Sequence, residues 1–464
     1  MSSKKVIFWF RQDLRLADNP ALVEAAKAGH VLPVYIFDTS PKNPRPLGAP
    51  SKWWLHRSLE ALQKKGVPLL IQSGKPLTVL KKLTETLDID GIYWNRTYTP
   101  YDIERDKEIK LSLDGCRSFN GSLLHEPWTV SNLKGDSYRV FTPFWKKCLT
   151  LETRSVLEEP SVTYIRDLGT KIKKLSLNDI LPHPQWASKF ENDSEPGEQG
   201  AQKALTLFIE KKLKGYKKNR NIPALNHTSH LSPHLHFGSI SPHQIWKETQ
   251  KIMTSDSEDS DTFRSELGWR EFCHYLLYHA PYVCRHPFQE KFKNLPWVKD
   301  SPFLTPWKQG QTGYPIIDAG MRELWETGYM HNRVRMIVAS FLTKHCLIHW
   351  RTGESHFWDT LIDADLASNV LNWQWVAGCG ADAAPYFRIF NPVTQSKKFD
   401  PDGAYIRRWV PELTSLSDKQ IHTPWTLSPE QQKKLGCRIG QDYPAPILDL
   451  DEGRKKALEA YKEL

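Results

Sequence analysis

The sequence predicts a two-part chain: an N-terminal α/β domain built on a parallel, Rossmann-like sheet, then a large all-α domain. Three observations carry this. Short apolar runs alternate with helix-like stretches over the first 130 residues. A proline-rich polar segment follows. Helical periodicity then dominates from about residue 201 onward. At ~150 residues per domain, 464 residues hold two or three such units.

In order, Val6–Phe10, Val31–Phe37, Leu69–Gln72 and Ile92–Asn95 read as strands. Between them Ala21–Ala28, Trp53–Lys65 and Leu77–Leu87 read as helices. This alternation is that of a parallel sheet covered on both faces. No G-x-G-x-x-G follows the first strand, so an ordinary dinucleotide site is not expected at that turn. Residues 131–200 read as an interdomain linker, marked by Pro160, Pro182, Pro184, Pro196 and the polar run Glu191–Glu198. The expected domains are therefore 1–130 and 201–464. In the second, Ala201–Leu213, Arg264–His279, Met321–Trp350 and Phe357–Val376 carry the helical period. No fixed repeat or heptad run is seen.

Composition excludes several classes. A quarter of the residues are charged and 39% are apolar, which suits a globular chain rather than a disordered one. The seven cysteines form no C-x-x-C, so zinc-finger and thioredoxin readings fail, and reduced thiols are expected. No apolar run approaches the ~18 residues of a spanning helix. Arg11 and Asp13 interrupt the region where a signal peptide would be apolar. The expectation is a protein that begins near Met1, does not enter a membrane and works in the cytoplasm, at the nucleoid if bacterial. The net charge of +10 favours an anionic partner such as nucleic acid; a basic protein without such a partner is the competing reading. Eleven of the 18 tryptophans lie beyond residue 240, which implies a tryptophan-rich core or aromatic platform there.

Four polar constellations stand out. Glu266, Trp269 and Arg270 fall at i, i+3 and i+4, one helix face. The plain alternative is an internal Glu–Arg pair beside a core indole. Asn332, Arg335 and Met336 repeat the spacing next to His331 and Arg333, and lead into the apolar run Met336–Leu342. Charges there would be buried only if paired, and Asp363 and Asp365 are the candidate partners. In Asp363–Trp375, Asp365, Asn369 and Trp373 are spaced by four, although Asp and Asn are poor helix-interior residues. Finally, Thr228–Ser232 (TSHLS) precedes a helix-like segment, so its hydroxyls suit either a phosphate or a simple helix cap. Just before it, residues 211–220 carry six basic side chains and no acid. Gly378–Ala383, GCGADA, matches a loose dinucleotide pattern, but it follows a helical stretch and is rejected. Walker A, H-E-x-x-H and G-x-S-x-G are absent, and no histidines show metal-ligand spacing.

Together, FWFRQDLRLADNPAL, TSHLSPHLHFGSISP, ELGWREF, GYPIIDAGMRELWETGYMHNRVRMIVASFL and WQWVAGCGADAAPYFRIFNP resemble the photolyase/cryptochrome family, in the family's order and over nearly the whole chain. The flanking SKWWLHRSLEAL resembles the bacterial branch close to plant cryptochromes. The resemblance implies an antenna-type α/β domain, a linker and a helical FAD-binding domain. It implies that Tyr216, Thr228, Ser229, Leu231 and Ser232 hold the FAD phosphates and ribityl region. It places Asn332, Arg335, Asp363, Asp365 and Asn369 around the flavin ring, with Arg335 and Asp363 as a buried ion pair. Trp297, Trp350 and Trp373 match the family's electron-relay tryptophans. Glu266, Trp269, Asn332, Arg333, Met336 and Trp375 match the lesion pocket, and Arg388 a position near the DNA backbone.

The activity implied is light-driven repair of cyclobutane pyrimidine dimers in UV-damaged DNA, by a monomer carrying FAD. A flipped-out lesion suits flat indoles and hydrogen-bonding edges. The alternatives are a cryptochrome-type blue-light receptor and a (6-4) photolyase. MHNRVRM, without the expected His-His pair, and the short stretch after WVPEL speak for dimer repair. A light-independent nucleic-acid-binding protein and a generic flavin oxidoreductase rank below these. Two positions depart from the family: His230 replaces an Arg, and Tyr101–Asp102 replaces the Asn-Glu of the folate-binding type. The antenna chromophore is therefore open between methenyltetrahydrofolate, a deazaflavin and none.

Overall fold

Runs of Val, Ile, Leu and aromatic residues form five strands: β1 (Lys5–Phe10), β2 (His30–Asp38), β3 (Leu70–Gly74), β4 (Gly91–Asn95) and β5 (Cys116–Phe119). All neighbours are parallel, in the order β3-β2-β1-β4-β5, with Val6 opposite both Val31 and Gly91. The computed structural model describes residues 4–170, 172–181, 189–191, 194–251 and 257–464. The fifth strand was not legible in the sequence. CRSF is too polar to read as a strand, and at the sheet edge it needs no full burial.

The crossover helices α1 (Pro20–Ala28), α2 (Ala49–Lys64), α3 (Pro76–Leu87) and α4 (Pro100–Ser112) each carry a proline in the first turn, where its missing N–H costs nothing. Asn19 caps α1 by accepting from Leu22 N–H at 3.2 Å, and Thr99 caps α4. Ile7, Trp9, Leu32, Leu70, Ile92 and Trp94 pack against Leu80, Leu83 and Ile109 from the helices. Each such side chain contributes about 1.5–3 kcal/mol on burial.

Beyond the carboxyl ends of β1 and β4, where open α/β sheets usually bind ligands, polar side chains of the chain bond one another. Arg11 pairs with Asp106 at 2.8 Å, and the Asn95 amide donates to Asp13 (2.6 Å) and Asn19 (2.7 Å).

Two compact units emerge: residues 1–214 with 229–281, and residues 215–228 with 282–464. The first reaches beyond the predicted boundary at 200. Its later part includes the short helix Ser232–Phe237 and the long helix Ser257–His279. The long helix packs on helix α5 (Phe141–Cys148): the Trp145 ring lies where a Cβ on Gly268 would be, 2.7 Å away, so only glycine fits there. Residues 163–165 bridge to Val31, while Leu168 and Ile172 join the sheet's core. The linker thus adheres to the first unit. Pro182 and Pro184 lie outside the described residues.

In the second unit, the stretch predicted as continuous from Met321 to Trp350 is broken. Helix Pro315–Thr327 ends at Gly328, in the left-handed region at φ 67°, and a new helix starts after His331. The helix core is closed by Trp307, whose indole N–H donates to Val338 O at 3.1 Å.

Candidate functional site

The helix Asn332–Ser340 starts with His331 as its cap: Nδ1 accepts from Arg333 N–H at 3.2 Å. This uses the histidine structurally. Asn332, Arg335 and Met336 share one helix face, Asn332 exposed and the other two half-buried. Arg335 donates to Met330 O (2.7 Å) and to the deeply buried Asp363 carboxylate (2.9 Å), and lies 5.2 Å from the Tyr329 ring centre. Burial pulls the guanidinium pKa down, but Asp363, Tyr329 and Glu323 together outweigh it and the net shift is upward. The buried pair predicted from the sequence therefore forms with Asp363. Arg333 instead reaches Asn221, donating to its Oδ1 at 2.7 Å, and lies over Phe399.

Asp365 is not inside the next helix. It caps Leu366–Ala377, accepting from Ser368 N–H at 2.8 Å, which removes the propensity conflict raised by the sequence. Asn369 lies inside that helix. Its amide donates to both Glu354 O (2.9 Å) and Glu354 Oε1 (2.8 Å). Both partners are acceptors, so the NH₂ group must face them and Oδ1 is left as an acceptor.

Trp373 is buried against Phe357 (ring centres 5.0 Å) and Trp307 (6.3 Å). A Cβ on Gly353 would come within 2.1 Å of its ring, so glycine there makes room for the indole. Trp350 is buried at the start of helix Trp350–Thr360, whereas Trp297 is half-buried. His349 lies between these two, 5.0 Å from Trp297 and 5.5 Å from Trp350. Burial lowers the His349 pKa to about 4, so the ring is neutral at pH 7. Trp375 is half-buried and Arg388 exposed.

Among the expected phosphate-side residues, Tyr216 is buried under Arg220, and Thr228 hydrogen-bonds the Tyr329 hydroxyl. Thr228, Tyr329, Arg335 and Asp363 thus form one chain of contacts in the second unit. Ser229, Leu231 and Ser232 belong to the first unit, at the start of helix Ser232–Phe237. Leu231 occupies the cap position and its side chain makes no cap bond, while Ser229 Oγ accepts from the Leu231 N–H at 3.4 Å. His230 is exposed and takes a left-handed backbone at φ 54°.

Glu266 and Trp269 lie on the long helix of the first unit, both half-buried. One face of Trp269 is stacked on Phe141, with centroids 3.9 Å apart and planes at 9°. Arg270 donates to Ser122 O at 2.9 Å and pairs with Glu271. At the departure from the folate type, the Tyr101 hydroxyl donates to Asp38 at 2.7 Å, and Asp102 pairs with Arg105 at 2.8 Å. Both groups are engaged within the chain.

Residues 6–161 match the family profile described as DNA photolyase, and residues 263–463 that described as FAD binding domain of DNA photolyase. A deoxyribodipyrimidine photo-lyase of Agrobacterium fabrum is 47% identical over 99% of this chain and 98% of its own length. The chain belongs to the photolyase/cryptochrome family. The crystal structure of a bacterial class III photolyase from Agrobacterium tumefaciens matches with a TM-score of 0.95 and 46% identity, covering 100% of this chain and 98% of that one. Cryptochrome-2 of Arabidopsis thaliana is 37% identical over 98% of this chain and 78% of its own. As a family member, the chain has FAD as its cofactor. Within the second unit the residues fit it: a hydrogen-bond acceptor at Asn369, a half-buried cation at Arg335 paired with Asp363, and a hydroxyl at Thr228.

Sequence reasoning missed Tyr329, Glu354 and Asn221. Glu354 is fully buried, in a stretch between the predicted helical runs Met321–Trp350 and Phe357–Val376. No local signal could have placed it against Asn369.

Proposed function

We propose that this chain is a light-driven deoxyribodipyrimidine photo-lyase that splits cyclobutane pyrimidine dimers in DNA. The observation that carries the reading is the helix Asn332–Ser340. It presents Asn332 and Met336 beside the Arg335–Asp363 pair and spends His331 as its own cap. That leaves the helix start without the histidine pair a (6-4) enzyme would use. The relative of 47% identity supports the same activity.

FAD, when bound and reduced, supplies on excitation the electron that opens the dimer and takes it back afterwards. The chain's residues do the rest. Arg335, Asp363 and Asn369 would hold the ring, Asn369 through its Oδ1 as a hydrogen-bond acceptor. Trp269, backed by Phe141, offers a rigid flat surface to a flipped-out base, and Trp375 offers another. Glu266 and Asn332 hydrogen-bond the pyrimidine edges, Arg333 belongs to the lesion pocket, and Arg388 contacts the DNA backbone. Trp297, Trp350 and Trp373 relay electrons inward. A neutral His349 between the first two adds no positive charge against an oxidised indole. The protein acts as a cytoplasmic monomer. A second chromophore, methenyltetrahydrofolate or a deazaflavin, would serve as antenna.

The Arabidopsis cryptochrome relative favours a blue-light receptor as the alternative. Glu266→Ala separates the two. A hydrogen bond to a charged group contributes ~1.5–3 kcal/mol, so loss of the carboxyl should slow dimer repair by roughly ten- to a hundredfold. Flavin content should hold. Repair at the parent rate would remove Glu266 from the lesion site, and no repair by either protein would favour the receptor.

A further inference from the structure

Lys344 lies in the π-helical turn Phe341–His345 that continues the helix Asn332–Ser340, and it is fully buried. Among the described residues its ammonium has no carboxylate partner. Nζ donates to the backbone oxygens of Tyr386 (3.0 Å) and Arg388 (3.5 Å) and sits 4.8 Å from the Tyr386 ring centre. A buried ammonium is costly unless acceptors surround it, and here both bonded acceptors come from a single loop. Burial lowers its pKa to about 8, so it remains a cation at neutral pH.

Ser340, about one turn earlier, accepts from Phe390 N–H at 3.1 Å. Two side chains of one helical segment therefore grip residues 386–390. The π turn inserts an extra residue, which rotates the residues after it by about 100° relative to a continuous α-helix. From the other side, Tyr386 stacks on Tyr461 with centroids 4.5 Å apart and planes at 8°. The tip between these anchors is different. Phe387 is 68% exposed and Arg388 is exposed too. A fixed base thus carries an exposed apolar–cationic tip.

We propose that Lys344 is a positioning residue that presents Arg388 to the DNA backbone by holding the 386 and 388 carbonyls from the buried side. This rests on the proposed role of Arg388 as a backbone contact. The test is anisotropy titration of a dimer-bearing DNA duplex over a range of salt. It uses FAD-loaded wild type, Arg388→Ala, Lys344→Met, Lys344→Arg and the double variant Lys344→Met/Arg388→Ala. Arg388→Ala should weaken binding about tenfold and lower the salt slope by about one. Lys344→Met should do the same, Lys344→Arg should restore most of the loss, and the double variant should be no weaker than Arg388→Ala.

An unchanged salt slope in Arg388→Ala would overturn the backbone contact itself. A normal slope in Lys344→Met beside a reduced one in Arg388→Ala would overturn only the positioning role, as would multiplying losses in the double variant. Flavin absorbance per protein reports folding. If Lys344→Met fails to hold flavin, Ser340→Ala takes its place. It should weaken binding about threefold in the parent and not at all in the Arg388→Ala background; equal losses in both would overturn the proposal.

Discussion

Asp363→Ala is expected to purify without flavin colour. Asp363 is almost fully buried and accepts from Arg335 Nη2 at 2.9 Å, while Arg335 Nε donates to Met330 O. Removing the carboxylate leaves the guanidinium without its hydrogen-bonded counter-charge. Breaking a buried pair in this way costs about 3–5 kcal/mol. The same side chains stand at the end of the chain of contacts from Thr228 through Tyr329, so the disturbance reaches the phosphate side as well. If that cost falls on the flavin-bound state, affinity for FAD drops by roughly a hundred- to several thousandfold. Visible absorbance per protein after FAD reconstitution measures it. Full loading of the variant would mean that the pair is a structural strut away from the flavin.

The second large effect is on light-driven reduction. Trp373→Phe should abolish photoreduction of oxidised FAD while the variant still binds the cofactor. Trp373 is enclosed by Phe357, Trp307 and the bare backbone of Gly353, so a smaller ring leaves a local cavity rather than a collapsed domain. Phenylalanine is far harder to oxidise than tryptophan, so the inward relay stops there. Repair by chemically reduced enzyme should persist, because no outside electron is then needed. Photoreduction at the parent rate would show that electrons reach the flavin without Trp373.

Much of the fold and site was legible because the informative features are local. The β1 and β2 runs are apolar and alternate with helices, and the i, i+3, i+4 spacing of Asn332, Arg335 and Met336 is fixed by helix geometry. The Arg335–Asp363 pair could be anticipated because a charge beside an apolar run needs a partner. What could not be read depends on the fold. β5 has no pattern of its own and is a strand only because β4 offers an edge. The packing of the helix Ser257–His279 in the first unit is decided by Trp145 and Phe141 from a segment that reads as linker. Glu354 and Lys344 are both fully buried charged residues, and nothing in their local sequence pattern marks them as buried. Asp365 shows the opposite case: the spacing suggested a helical stripe, and the chain uses the residue as a cap.

The most direct test of the central claim is repair of an oligonucleotide carrying one thymine cyclobutane dimer, with flavin reduced beforehand, under blue light and in the dark. The predicted result is restoration of two adjacent thymines in the light and none in the dark. A fully loaded, reduced protein that leaves the dimer intact in the light would contradict it.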